Sequence, residues 1–155
     1  MHHSEFRIEK ERLPVVVVTT AGDRMFGDMF VQAYIRHRSG REEPSDIMNG
    51  PEPFFPLAVA SGEMVLIAKD WVREVEIVGE AGADDAAMAS RPATVEITVS
   101  GGPTRIGQVY LEVPFDRPRL LDFLNRFDQR FLELHTDEGM RLVNVRLLER
   151  VRQLD

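Results

Sequence analysis

One pattern constrains this chain more than any other, because it occurs twice. Arg41, Asp46, Ile47, Met48, Asn49 and Phe55 follow the scheme R-x-x-x-x-D-h-h-N-x-x-x-x-x-F, where h is a large apolar residue. Arg117, Asp122, Phe123, Leu124, Asn125 and Phe131 follow it again, 76 positions later when counted from Arg41 to Arg117. The same offset carries Met64 onto Met140, Leu66 onto Leu142, Ile67 onto Val143, Trp71 onto Leu147, Val72 onto Leu148 and Val75 onto Val151. Gly27 and Gly107 match at an offset of 80, because the first copy has four extra residues between its glycine and its aspartate. Length changes of this kind belong in surface connections. Matches that keep the same order predict an internal duplication, one supersecondary unit used twice.

Within each copy the apolar pattern predicts short strands. Residues 15–18 are a valine run that suits a strand buried on both faces. Ala21-Gly22-Asp23 predicts a turn, and Met25, Phe26, Met29, Phe30 and Val31 a second strand with Gly27 inside it. A glycine within a strand predicts a bulge or a sharp bend. The polar stretch 36–46 then leads into the first D-h-h-N segment, expected as a helical turn, and strands are expected at 54–59, 64–68 and 71–78. The second copy repeats the order. Val95, Ile97 and Val99 alternate as a strand, 100–103 is a turn, and Ile106 to Leu111 carries Gly107. Asp116-Arg117-Pro118 predicts a capped helix start, and Leu120, Leu121, Leu124 and Phe127 fall at helical spacing. Phe131, Leu132 and Leu134 restart a strand, and the closing strands are expected at 140–145 and 147–151.

The expected division is a polar lead-in at 1–12, a first β unit at 13–78, an acidic Ala/Gly linker at 79–93 and a second β unit at 94–155. The expected fold class is mainly β with a minor α component. It consists of two duplicated, small, strongly bent β-barrel units, each of about five short strands with one short helix or helical turn. A unit of that size is marginal alone, so two should pack together or join edges.

Composition narrows the function. The chain has 155 residues, 43% of them apolar, which is enough for a core. No apolar run approaches the ~20 residues of a membrane helix, and no secretory signal is present, so the expectation is a cytoplasmic protein without membrane contact. The absence of cysteine removes disulfides, a thiol nucleophile and a thiolate metal site. His2 and His3 are set aside as native residues or the remnant of a tag. A net charge of −7 weighs against nucleic acid, whose binding draws on clustered Lys and Arg, and favours a protein or small-molecule partner.

Two readings compete for Arg41, Asp46 and Asn49 and for their counterparts Arg117, Asp122 and Asn125 with Arg119. One is a polar site for a ligand or partner, present twice. The other is local structure, with Asp as a cap and Asn supplying a turn of positive φ. The second is favoured because the flanking residues are apolar and read as core. His37 and His135 have no nearby His or Cys, so no metal is expected, and His135 reads as solvated loop beside the turn Asp137-Glu138. The acidic pairs Glu42-Glu43 and Asp84-Asp85 read as solvated. Gly101-Gly102-Pro103-Thr104 lacks the lysine and spacing of a phosphate loop and reads as a hairpin turn. Arg117, Arg119, Arg126 and Arg130 form the densest basic cluster and could hold phosphate, but Asp116, Asp122 and Asp128 interleave with them. Arg126-x-x-x-Arg130 has the spacing of one PilZ element, and the D-x-S-x-x-G that should follow is missing.

The glycine-bearing hairpins (Gly27, Gly107), the D-h-h-N segments (46–49, 122–125) and the paired closing strands resemble the Sm-like small barrel. They also resemble small bacterial domains of unknown function with R-x-x-D-h-h-N patterns. The D-h-h-N here follows a long connection, and the second Sm signature, apolar-Arg-Gly, is replaced by Ala68-Lys69-Asp70 and Asn144-Val145-Arg146. The resemblance implies oligomeric rings that bind RNA. The missing signature and the acidic charge weigh against the RNA. The expectation is a non-enzymatic protein-interaction or assembly module without cofactor or metal. Its partner would be a protein or another copy, in a homo-oligomer or pseudo-symmetric monomer. The alternative is a nucleotide- or RNA-binding regulator using the arginines of 117–130. No catalytic set is recognisable, and the best enzyme candidates would be His135 with Asp137.

Overall fold

The computed structural model of the protein describes residues 10–32, 42–79, 90–112 and 120–155. The valine run lies in β1 (Lys10–Thr19), and Val15 to Val18 are all buried, as a strand covered on both faces requires. β2 (Arg24–Gln32) returns along it, and α1 (Pro44–Met48) follows. Then come β3 (Phe54–Val59), β4 (Met64–Ala68), a 3-10 turn at Lys69–Trp71, and β5 (Val72–Ile77). The second half has β6 (Ser90–Val99), β7 (Thr104–Glu112), α2 (Leu120–Arg126), β8 (Phe131–Thr136) and β9 (Gly139–Asn144). A 3-10 turn at Val145–Leu147 leads into β10 (Leu148–Gln153). β1 and β6 thus begin before the boundaries expected at 13 and 94. Trp71, expected at the head of a strand, sits exposed in the 3-10 turn instead.

Among the described residues, all ten strands form one antiparallel sheet, in the order β10-β6-β7-β8-β9-β5-β1-β2-β3-β4. The first half contributes β5-β1-β2-β3-β4, and the second β10-β6-β7-β8-β9, the same order five labels on. Two small barrel units, packed together or joined at their edges, were expected. The ladder is instead continuous and open, with β4 and β10 as its ends. The halves are joined by β5 and β9, in the register Glu74↔Val143, Val75↔Leu142 and Glu76↔Arg141. Among the described residues, no helix is long and apolar enough to cross a membrane.

The strand glycines serve a close approach, not a bulge. The β1–β2 ladder runs without a shift from Lys10↔Gln32 to Val18↔Arg24. A Cβ on Gly27 would stand 2.7 Å from the Ala58 carbonyl oxygen and 2.8 Å from Leu57 Cγ. On Gly107 it would stand 2.7 Å from the His135 oxygen and 2.9 Å from Leu134 Cγ. In each half the third strand folds tightly over the second, and only glycine leaves room.

Register also corrects the expected match between the halves. Phe54 lies opposite Ala68 and Phe131 opposite Asn144, so the first hairpin holds one residue more between these opposed positions than the second. Phe131 therefore corresponds to Phe54, and Leu132 to Phe55. The final phenylalanine of the sequence pattern is out of step by one.

Two core clusters result. The first gathers Val15, Val17, Met29, Met48, Phe55, Leu57, Val72 and Val75, and also takes in Phe131, Met140 and Leu142 from the second half. The second gathers Val95, Ile97, Val109, Leu111, Leu132, Leu134 and Val143. Because strand side chains alternate, β9 serves both, with Leu142 facing one cluster and Val143 the other.

Gly27→Ala and Gly107→Ala should each lower stability by about 1–3 kcal/mol, since the added methyl meets a backbone carbonyl and cannot be accommodated by a side-chain shift. Chemical denaturation checks this, and both variants should move the midpoint without changing the far-ultraviolet spectrum of the folded state.

Candidate functional site

The first D-h-h-N segment is local structure in part. Asp46 occupies the third position of α1, and its Oδ2 accepts a 2.8 Å bond from the Glu43 backbone N–H ahead of the helix, half of a capping box. Ile47 and Met48 turn into the first core. At the far end of the helix, the buried Lys69 donates through Nζ to the carbonyl oxygens of Ile47 (2.5 Å) and Gly50 (3.3 Å). The Ile47 carbonyl, in the last turn of α1, also accepts from Gly50 N at 3.1 Å. Burial pushes the Lys69 pKa down, Arg130 adds to the effect, and Glu52 opposes it.

Asn49 has a different task from the one its sequence context suggests. Its backbone is right-handed helical at φ −93°, so no positive-φ turn is involved. Its side-chain amide reaches the other half of the chain. Oδ1 accepts from Phe131 N at 2.7 Å, and Nδ2 donates to Phe131 O at 3.2 Å. One side chain thus satisfies both backbone groups of a residue 82 positions away.

Around this clamp the two halves are locked by further polar contacts. Glu74 on β5 is buried and accepts from Arg105 Nε (2.9 Å) and Nη2 (2.6 Å) and from Arg141 Nη1 (3.1 Å). Arg141 also pairs with Glu76. Buried charges persist only when paired and hydrogen-bonded in this way. Asn144 donates from Nδ2 to Val72 O (2.9 Å) and accepts at Oδ1 from Arg146 N (3.1 Å). Arg130 pairs with Asp70 at 3.0 Å.

The second D-h-h-N segment has the same pattern in a different setting. Asp122 and Asn125 lie exposed on α2. Among the described residues, the Asn125 side chain makes no hydrogen bond. Arg41, Arg117, Arg119 and His37 lie outside the described residues. The structure therefore places Asp46 in α1 with Asn49 at its C-terminal cap, and Asp122 and Asn125 in α2, but it does not merge the two sets.

Between α1 and the second half is an open cleft of about 400 Å³, flanked by Asp46, Asn49, Tyr110, Phe127, Glu133 and His135. His135 was expected in a solvated loop. It lies in β8, half-buried and edge-on to Tyr110 at 4.8 Å. Its Nε2 stands 3.8 Å from Glu133 Oε2, and the imidazole, with Ser45, holds the Glu133 carboxyl below the usual carboxylate range against burial. Among the described residues, no three His, Cys, Asp or Glu side chains converge as a metal site.

Among the described residues, the other distinctive surface is the outer edge of the sheet at β4. Its sequence, Met64-Val65-Leu66-Ile67-Ala68, carries no charge and no proline. Met64 and Leu66 are 52% and 68% exposed, and Phe54 on the neighbouring strand is 56% exposed. Edge strands in monomeric proteins are normally blunted by charge or proline, and β4 has neither. Comparison with known protein families, curated proteins and solved structures found no match.

Asn49→Ala should cost about 1–3 kcal/mol, because it strands two backbone groups of Phe131, whereas Asn125→Ala should leave the melting temperature of the isolated chain unchanged. Thermal melts at low protein concentration check the contrast. Lys69 yields a pH prediction. Its folded pKa lies below the unfolded value, so between the two the unfolded chain holds more protons and stability rises with pH. That gain should accumulate on the alkaline side, up to the ordinary lysine value of about 10.4. Denaturation midpoints measured along that range should show the rise in the parent chain and lose it in Lys69→Met.

Proposed function

We propose that this protein is a non-enzymatic assembly module, built from two copies of one small β unit at 13–78 and 94–155. Its partner is another protein chain, bound along the free β4 edge. The observation that carries the reading is that edge: an uncharged strand with Phe54, Met64 and Leu66 presented to solvent. An extended segment added there would gain main-chain hydrogen bonds and cover the three apolar side chains together.

Several features support the two-copy part of the reading. The strand order of one half is that of the other shifted by five labels. Each half has its glycine under the third strand, a short helix at the D-h-h-N segment, and a 3-10 turn between its last two strands. The likeness to Sm-like barrels remains part of this proposal, as does the bacterial-domain pattern. A chain without cysteine suits a reducing cytoplasmic setting.

The nucleotide- or RNA-binding alternative has less support. Of the arginines it would use, Arg130 is paired with Asp70, and Arg126 also makes an interaction. Arg117 and Arg119 lie outside the described residues.

Light scattering over a concentration series tests the assembly reading. The expected result is a mass that rises with concentration, and Leu66→Glu should abolish the rise while leaving the melting temperature of the single chain unchanged. A mass equal to one chain throughout, with no specific protein recovered by the immobilised chain, would refute it.

A further inference from the structure

We propose that the occupant of the β4 edge is a second copy of this chain, and that it presents its own β10 edge. This rests on the assembly reading above and specifies the contact.

The chain already contains the template, in the β5–β9 junction between its halves. There Val75 lies opposite Leu142. Moving each member by the repeat offset of 76 turns Leu142 into Leu66, on β4, and Val75 into Val151, on β10. These are the two ends of the sheet. The degree of cover differs in the way an unfilled junction requires. Phe131, Met140 and Leu142 are 1%, 8% and 0% exposed where they cover the first core, whereas their counterparts Phe54, Met64 and Leu66 stand open. The receiving side shows the same contrast. Met48, Val72 and Val75 are buried, and their counterparts Leu124, Leu148 and Val151 are only partly covered.

The amide clamp repeats as well. Asn49 grips the backbone of Phe131. Its counterpart Asn125 is exposed and makes no side-chain bond among the described residues. The counterpart of Phe131 is Phe54. Lys69 N donates to Pro53 O, as Val145 N donates to Arg130 O, so in both hairpins the flanking pair carries the ladder bonds. Phe54 therefore turns its N–H and C=O away from β4, as Phe131 does from β9. The β2–β3 ladder, which spans Gly27↔Val59 to Met29↔Leu57, does not extend to Phe54.

The ionic lock does not repeat. Glu74, Arg141 and Arg105 correspond to Arg150, Val65 and Met25. The contact between chains is thus strand pairing, apolar cover and one amide clamp, without the buried charge cluster, and it is weaker than the junction within the chain. Because β4 and β10 are different edges, the contact is head-to-tail. Repetition gives a closed ring or an open filament, according to the rotation at each step.

The absence of cysteine allows a direct test by disulfide trapping in the full chain. Opposed antiparallel residues have Cα atoms about 4.5–5.5 Å apart, within disulfide reach. Leu66→Cys combined with Val151→Cys should give, on mild oxidation, a ladder of covalently linked chains. Leu66→Cys with Glu149→Cys, two residues out of register, should link far more slowly. In scattering, Asn125→Ala should weaken association by about tenfold or more with an unchanged melt. If the chain associates but the in-register pair links no faster than the control, or Asn125→Ala has no effect, the β4–β10 contact is overturned and the assembly reading stands. A chain that stays monomeric but binds another protein also overturns this contact alone. A monomer without any partner overturns both.

Discussion

The structure depends on the pairing of β5 with β9 and on the polar groups that fix it. Each half is too small to bury a full core by itself. The second half lends Phe131, Met140 and Leu142 to the core of the first, and this transfer works only at one register. A slip of one residue would turn β9 over and bring Arg141 into that core in place of Leu142. Glu74, held by Arg105 and Arg141, and Asn49, held on the Phe131 backbone, each penalise such a slip by leaving buried polar groups unpaired. The apolar contacts supply the driving force, and the polar contacts choose among alignments.

Much of the fold was legible because strand alternation and helix spacing are local signals. The valine run at 15–18, the helix containing Leu120 and Leu124, and the turn at 101–103 all follow from residues close in sequence. The continuous sheet was not legible, because which edge meets which is decided by side chains far apart in the chain. Glu74, Arg105 and Arg141 look like ordinary surface charges in an alternating strand, and nothing nearby signals that they meet. Phe131 misled for a related reason. A single-residue difference in hairpin length moved the true correspondence to Phe54, while the sequence pattern kept its apparent match with Phe55.

The D-h-h-N segment shows both outcomes at once. Asp46 as a cap follows from helix chemistry that any sequence reveals. The role of Asn49 does not, because an asparagine amide can satisfy its own turn or a distant strand equally well. One available signal was that the asparagine recurs at position 125.

The last strands of the two halves, β5 and β10, differ in sign, and this bears on how the chain avoids misassembly during folding. β5 reads Glu74-Val75-Glu76, and β10 reads Arg150-Val151-Arg152. A β9 strand that arrives carrying Arg141 meets opposite charge on β5 and like charge on β10. Like charges placed across a strand pair are destabilising. The error discouraged is one chain inserting its β9 against the β10 of another, a swapped tangle that apolar residues alone would tolerate. Each chain is thereby steered to complete its own β5–β9 junction.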